Sequence, residues 1–212
     1  MLGSCVSSKF LQYYCQQKGF KYETTPTGFK NLGNAGLANK AAGRRVLFAF
    51  EEAIGFQVGD WNFDKDGITA LMTMTSLSSN CDSLENTLSE AYNSVGVHPI
   101  SCNSYLFCRP ASRIPLILEE MRQNRVADLK NVPFKSGIRV IGVEASASVL
   151  QLDLSLAGQR GWLMIRSSGT EPKIKFYSEL FAHESCDFSS CVYEIIDHLL
   201  EPTRSHLQYK SD

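Results

Sequence analysis

Residues 166–172 read Arg166-Ser167-Ser168-Gly169-Thr170-Glu171-Pro172, so a guanidinium, three hydroxyls and a glycine fall within one short stretch. A guanidinium presents a planar fork of donors, hydroxyls add more, and a glycine lets backbone N–H groups approach a ligand. Charge-assisted bonds of this kind are worth roughly 1.5–3 kcal/mol each. The set makes an anion cradle, and phosphate is the anion it suits best. The same composition also suits an ordinary polar hairpin loop, and residue types alone leave both readings open. Two other constellations carry less. His183, Cys186 and Cys191 supply three candidate zinc ligands, but no fourth ligand is spaced to close the site. Asp64 and Asp66 hint at a calcium loop, whose twelfth position would be Thr75 and not a glutamate. That reading is rejected, and no metal site is assigned.

The cradle lies between two apolar runs, Trp162–Ile165 and Ile174–Tyr177, and so reads as a loop joining two strands. Helical spacing over Val6–Gln17, a strand over Phe20–Thr24 stopped by Pro26, and a helix over Lys30–Ala42 precede the continuous apolar run Val46–Phe50. Such a run suits a buried parallel strand. Helices over Ile68–Ser79 and Ser83–Tyr92 complete an alternating α/β pattern. The character changes near Gly96-Val97-His98-Pro99. Strands at Ile100–Phe107, Gly137–Val143, Val149–Leu154, Trp162–Ile165 and Ile174–Leu180 then outnumber helices at Ile114–Gln123 and Phe188–Leu200. This predicts an antiparallel sheet with helices on one face. The polar tail, Thr203 to Asp212, is expected to fray.

Composition sets outer bounds. At 212 residues with 43% hydrophobic and 20% charged residues, the chain can bury a sizeable core. A net charge of −1 gives no electrostatic case for nucleic acid or an anionic membrane. No apolar run approaches the ~20 residues of a membrane span. Met1-Leu2-Gly3-Ser4 lacks a basic leader region, and the seven scattered cysteines fit free thiols in a reducing compartment. A cytoplasmic location is the expectation.

Three segments, in order, resemble the alpha-D-phosphohexomutase superfamily of phosphoglucomutases and phosphomannomutases. They are Thr25-Pro26-Thr27-Gly28-Phe29-Lys30, then Phe48-Ala49-Phe50-Glu51-Glu52-Ala53-Ile54-Gly55 followed by Asp64-Lys65-Asp66-Gly67, and the cradle itself. The resemblance runs from about Ser4 to Leu207. Phe50 to Gly55 is most similar to the branch containing phosphopentomutase, the type-2 phosphoglucomutases and glucose 1,6-bisphosphate synthase.

The resemblance implies an incomplete α/β domain III with a mixed sheet over residues 1–96. A smaller α+β domain IV, an antiparallel sheet with helices on one face, then covers 97–212. It implies that Arg166, Ser168, Gly169 and Thr170 clamp the substrate's non-reacting phosphate, with Gly169 removing a Cβ obstruction. Lys175 falls where relatives often carry a second basic residue, and a solvent-facing strand lysine is the competing reading. Glu51 falls where relatives direct a carboxylate at sugar hydroxyls, with Glu52 beside it; the pair would also suit a helix start. Lys30 and Lys65 match basic positions near the phosphates. Lys65 is the candidate catalytic residue, for proton transfer or phosphoryl stabilisation, and a solvated surface lysine remains the alternative for both. Ala53 stands where many hexose-phosphate enzymes have serine, which suggests a pentose 1-phosphate or a broadened substrate set.

The family reaction passes a phosphoryl group from a phosphoserine to the sugar and recovers one from the other sugar oxygen, through a bisphosphosugar. The expected cofactors are Mg²⁺ for the full-length enzyme and glucose 1,6-bisphosphate or a similar activator. The full-length protein is expected to be monomeric, with a phosphosugar as its ligand. The serine motif, like Thr-x-Ser-His-Asn-Pro, and the Asp-x-Asp-x-Asp metal loop do not occur here. Thr203-Arg204-Ser205-His206 copies four letters of the first but continues Leu207-Gln208. Two functions follow as expectations. The chain is the phosphosugar-recognition part of a mutase, inactive alone, or it is a non-catalytic phosphosugar-binding or interaction module.

Overall fold

The computed structural model describes residues 1–146, 149–182, 186–201 and 203–209. Two compact units divide after Val97.

In the first unit, strands β1 (Leu2–Ser4), β2 (Glu23–Thr25), β3 (Phe48–Glu51) and β4 (Gly55–Val58) form a mixed sheet ordered β2-β1-β3-β4. β1 runs parallel to β2 and β3, whereas β3 and β4 are an antiparallel hairpin. The parallel pairs need crossovers, supplied by helices α1 (Phe10–Lys18) and α2 (Phe29–Ala41). Helices α3 (Gly67–Asn80) and α4 (Leu84–Val95) follow. Helix α1 begins later than its spacing suggests because Ser4 and Ser7 are buried and bonded Oγ to Oγ at 2.7 Å, which forms a turn after β1. The core is small: Leu2, Phe29, Leu32, Val46 and Ala49, with Ala35 and Phe63 packed against them. Gly33 and Gly36 admit Phe63, since a Cβ at either would lie within 2.5 Å of its carbonyl oxygen or ring.

The second unit covers residues 98–212. Its strands are β5 (His98–Ser101), β6 (Ser104–Cys108), β7 (Arg139–Ala145), β8 (Val149–Leu156), β9 (Gln159–Ser167), β10 (Lys173–Ala182) and β11 (Leu207–Tyr209). They form an antiparallel sheet ordered β11-β6-β10-β9-β8-β7, with β5 also on β10. The single strand expected over Ile100–Phe107 is two, sharing one register on β10. The break falls where Asn103 Oδ1 takes the Ser178 N–H at 3.2 Å in place of a backbone acceptor. The tail does not simply fray: Leu207–Tyr209 pairs with Leu106–Cys108.

Helices α5 (Ile114–Glu120) and α6 (Phe188–Leu200) supply one wall of the core, through Ile117, Leu118, Val192, Ile195 and Leu199. Leu150, Leu152, Leu163, Ile165, Ile174, Phe176 and Leu180 supply the sheet wall, at alternating positions that all face the helices. Arg166, Lys173, Lys175 and Tyr177 therefore occupy the opposite sheet face. No helix among the described residues is long and apolar enough to cross a membrane.

Candidate functional site

Each unit holds its own part of the expected site. In the first, the β3–β4 hairpin turns through Glu52, Ala53 and Ile54. Ile54 has φ 57°, a left-handed conformation costly for a β-branched residue, and its side chain is exposed. Backbone strain of about 1–3 kcal/mol persists where surrounding structure imposes it, as in ligand-contacting loops. Glu51, the last residue of β3, is buried, and its Oε1 lies 2.5 Å from Lys65 Nζ. Lys65 reaches it because its loop is tied down on both sides. Its own N–H donates to Asp64 Oδ1 at 2.7 Å, and the next N–H, of Asp66, donates to Phe56 O at 2.9 Å.

The Lys65 ammonium also lies 5.9 Å from the Phe29 ring centroid. Gly55 makes this cluster possible: a Cβ there would meet Glu51 Cγ and Phe29 Cδ2 at 2.9 Å and Lys65 Cε at 3.0 Å. Asp66 is spent as the α3 cap, accepting from the N–H groups of Ile68 and Thr69. Its carboxyl is held below the usual range, first by the Thr69 hydroxyl. Glu51 and Lys65 are thus brought together. Glu52 is half-buried in the turn, and Lys30 is exposed on the first turn of α2.

In the second unit, Arg166 and Lys175 are directly opposed on β9 and β10. Two cations facing each other across strands repel, and an anion between them relieves the repulsion. Arg166 is aimed by Tyr177, a residue the sequence motif did not single out. Nη2 donates to Tyr177 Oη at 3.0 Å, the guanidinium carbon sits 5.3 Å from the ring centroid, and Nη1 reaches Ser167 O at 3.2 Å. Its buried Nε has no hydrogen-bond partner among the described residues. The two-residue alternation of β10 is the signal that could have found Tyr177 beside Lys175.

The loop between these strands is closed by Ser168 N–H to Lys173 O at 2.9 Å and Lys173 N–H to Glu171 O at 2.7 Å. Gly169 and Thr170 are exposed at its tip. A Cβ on Gly169 would meet no protein atom within 4 Å, so the obstruction expected there does not come from this unit itself. On its helix side the loop borders a cavity of about 630 Å³ walled by Ile114, Pro115 and Leu118. Ser168, Gly169 and Thr170 line that cavity; Arg166 and Lys175 do not.

Among the described residues no three His, Cys, Asp or Glu side chains converge where they could hold a metal ion. Of the zinc candidates, His183 lies outside the described residues, and Cys191 is buried on α6.

Residues 1–95 match the family described as phosphoglucomutase/phosphomannomutase, alpha/beta/alpha domain III. The phosphopentomutase of Pongo abelii is 32% identical, over all of this chain and 39% of its own length. The glucose 1,6-bisphosphate synthase of Homo sapiens is likewise 32% identical, over all of this chain and 38% of its own. The chain thus spans about two fifths of the length of these curated relatives. In fold, it superposes with a TM-score of 0.60 on the Paramecium phosphoprotein pp63/parafusin, a phosphoglucomutase in its open form. That match covers 94% of this chain and 36% of the other at 18% identity. By these matches the chain belongs to the alpha-D-phosphohexomutase superfamily.

Proposed function

We propose that this chain is the phosphosugar-recognition part of an intramolecular phosphotransferase of the phosphoglucomutase or phosphopentomutase type. Such an enzyme interconverts sugar 1-phosphates with 5- or 6-phosphates through a bisphosphosugar. The observation that carries the reading is the cation pair Arg166 and Lys175, opposed across β9 and β10 beside a loop of hydroxyl and N–H donors. In this reading residues 98–212 are the family's domain IV. Arg166, Lys175, Ser168, Thr170 and the Gly169 backbone hold the phosphate that does not react.

Glu51 accepts from sugar hydroxyls through the oxygen not committed to Lys65, and Glu52 sits beside it at the strained turn. Lys65, neutralised by Glu51 at rest, is placed to release its charge toward a phosphoryl group when a ligand displaces the pair. Lys30 adds a cation at the start of α2. Positioning and charge supply part of catalysis, but a covalent phosphoryl carrier must supply the rest. The phosphoserine and Asp-x-Asp-x-Asp motifs are absent from this sequence. The chain alone therefore binds phosphosugar without turning it over.

Calorimetry of the purified chain with glucose 1-phosphate, ribose 1-phosphate and glucose 1,6-bisphosphate tests the binding claim. Arg166→Ala is expected to lose roughly 10-fold or more in affinity, the scale of one charge-assisted bidentate contact. Equal affinity in wild type and variant would remove Arg166 from the clamp. Measurable mutase turnover by the chain alone would overturn the claim of inactivity.

A further inference from the structure

The phosphate loop contains its own opponent. Glu171 follows Thr170 directly, and a free carboxylate there would repel the anion that the loop's donors attract. Its partner is Lys173, only 9% exposed. Burying a lysine is costly unless its charge is met. Here it is met three ways. The ammonium lies 2.7 Å from Glu171 Oε1, 4.2 Å from the Tyr105 ring centroid and 4.7 Å from that of Phe107. The two rings stand edge to face at 5.6 Å, as two walls of a box on β6, where Phe107 is the cross-strand partner of Lys173. The main chain around the pair is fixed as well, by the two loop-closing bonds at Lys173 and by Cys108 N–H to Pro172 O at 2.9 Å. The ion pair holds the Glu171 carboxyl below its ordinary range, with Lys175 adding to the effect.

We propose that Lys173 is a positioning residue for the phosphate clamp: boxed by Tyr105 and Phe107, it neutralises Glu171 so that the loop presents net positive potential to a phosphate. The inference rests on the phosphate-binding reading above. Lys173 does not itself touch the ligand, because its ammonium is enclosed and paired. The recognised group is a phosphate dianion, met by Arg166, Lys175 and the loop donors.

The test uses the full chain, inorganic phosphate and glucose 1-phosphate as probes, and three variants: Lys173→Met, Glu171→Gln, and both together. Lys173→Met is expected to weaken phosphate binding roughly tenfold, the effect of one uncompensated charge a few ångströms away. Glu171→Gln is expected to bind at least as tightly as wild type. The double variant is expected to recover to within roughly threefold of wild type, because it restores neutrality without restoring the contact. A merely structural lysine would give no such recovery. Failure of Glu171→Gln to rescue, or unchanged affinity in Lys173→Met, overturns the inference. If the wild-type chain binds neither probe, the phosphate-binding reading falls by itself. The neutralisation of Glu171 is then read by carboxyl NMR titration, where its pKa must rise in Lys173→Met, and an unmoved titration overturns the pair's role independently of any ligand.

Discussion

The two units solve the problem of burying a sheet very differently. In the second, α5 and α6 cover one face of a long antiparallel sheet, and Leu152, Leu154, Leu163, Ile165, Ile174, Leu180, Ile195 and Ile196 are completely buried. In the first, four short strands share a core of five residues with two packed neighbours. Helix α3 buries no residue and exposes Ile68, Leu71, Met72 and Met74 at half or more of their surface. Apolar burial is worth about 25 cal/mol per Å², so folding free energy is concentrated in residues 98–212. The loop over residues 168–172 is therefore mounted on the unit with the larger buried core. The strained hairpin with Glu51 is mounted on the weakly buried one, the kind of region that opens locally at low cost.

Four measurements can break or sharpen that contrast. The largest effect is expected from Phe176→Ala, a fully buried ring in the second core, at about 3–5 kcal/mol of unfolding free energy by denaturant titration. A loss below ~1 kcal/mol would mean the second core is not tightly packed. Gly55→Ala should cost about 1–3 kcal/mol, because the added methyl collides with Glu51, Phe29 and Lys65 together. Its destabilisation should appear as faster amide exchange in β3 and β4, with β8–β10 unaffected.

Acid should separate the units next. Asp66 caps α3 and Asp187 caps α6, and hydrogen bonds, first those from the Thr69 and Ser190 side chains, hold both carboxyls below their ordinary value. A group lowered in the folded state binds fewer protons there than in the unfolded chain. Its stabilisation is present above the unfolded value of about 3.9 and is lost as pH falls through the folded one. Helix α3, with no buried face, should lose amide protection on acidification before α6, whose Val192, Ile195, Ile196 and Leu199 are buried. Loss in the reverse order would contradict the ranking of the units. The smallest effect belongs to Met72→Lys on α3, expected within about ±0.5 kcal/mol because the side chain is 68% exposed. A large loss would show that this face is covered in solution.

Much of the fold was legible where local signals agree. Helix α6 has the bounds its spacing predicts, Phe188–Leu200, because Asp187 caps it and the apolar residues recur at helical spacing. The β3 run, all apolar from Val46 to Phe50, is parallel to β1 as such a run suggests. Strand β4 went unseen because four residues opening with glycine look like the end of a turn. The break between β5 and β6 went unseen because it depends on Asn103 meeting Ser178, a partner 75 residues away.

The candidate site divides in the same manner. The order of donors from Arg166 to Thr170 and the Gly28-Phe29-Lys30 start of α2 are written in consecutive residues, so the sequence determined them; the strained turn through Ile54 emerged only with the β3–β4 pairing. The Glu51–Lys65 pair, the Tyr177 brace on Arg166 and the aromatic box around Lys173 join side chains from separate elements. Lys173 and Lys175 look alike in sequence, two residues apart on one strand face. The fold encloses the first and leaves the second half-buried opposite Arg166. Charge burial depends on what the neighbouring strand presents, here Tyr105 and Phe107. Only tertiary pairing decides which lysine is fixed in place and which stays half-buried opposite Arg166.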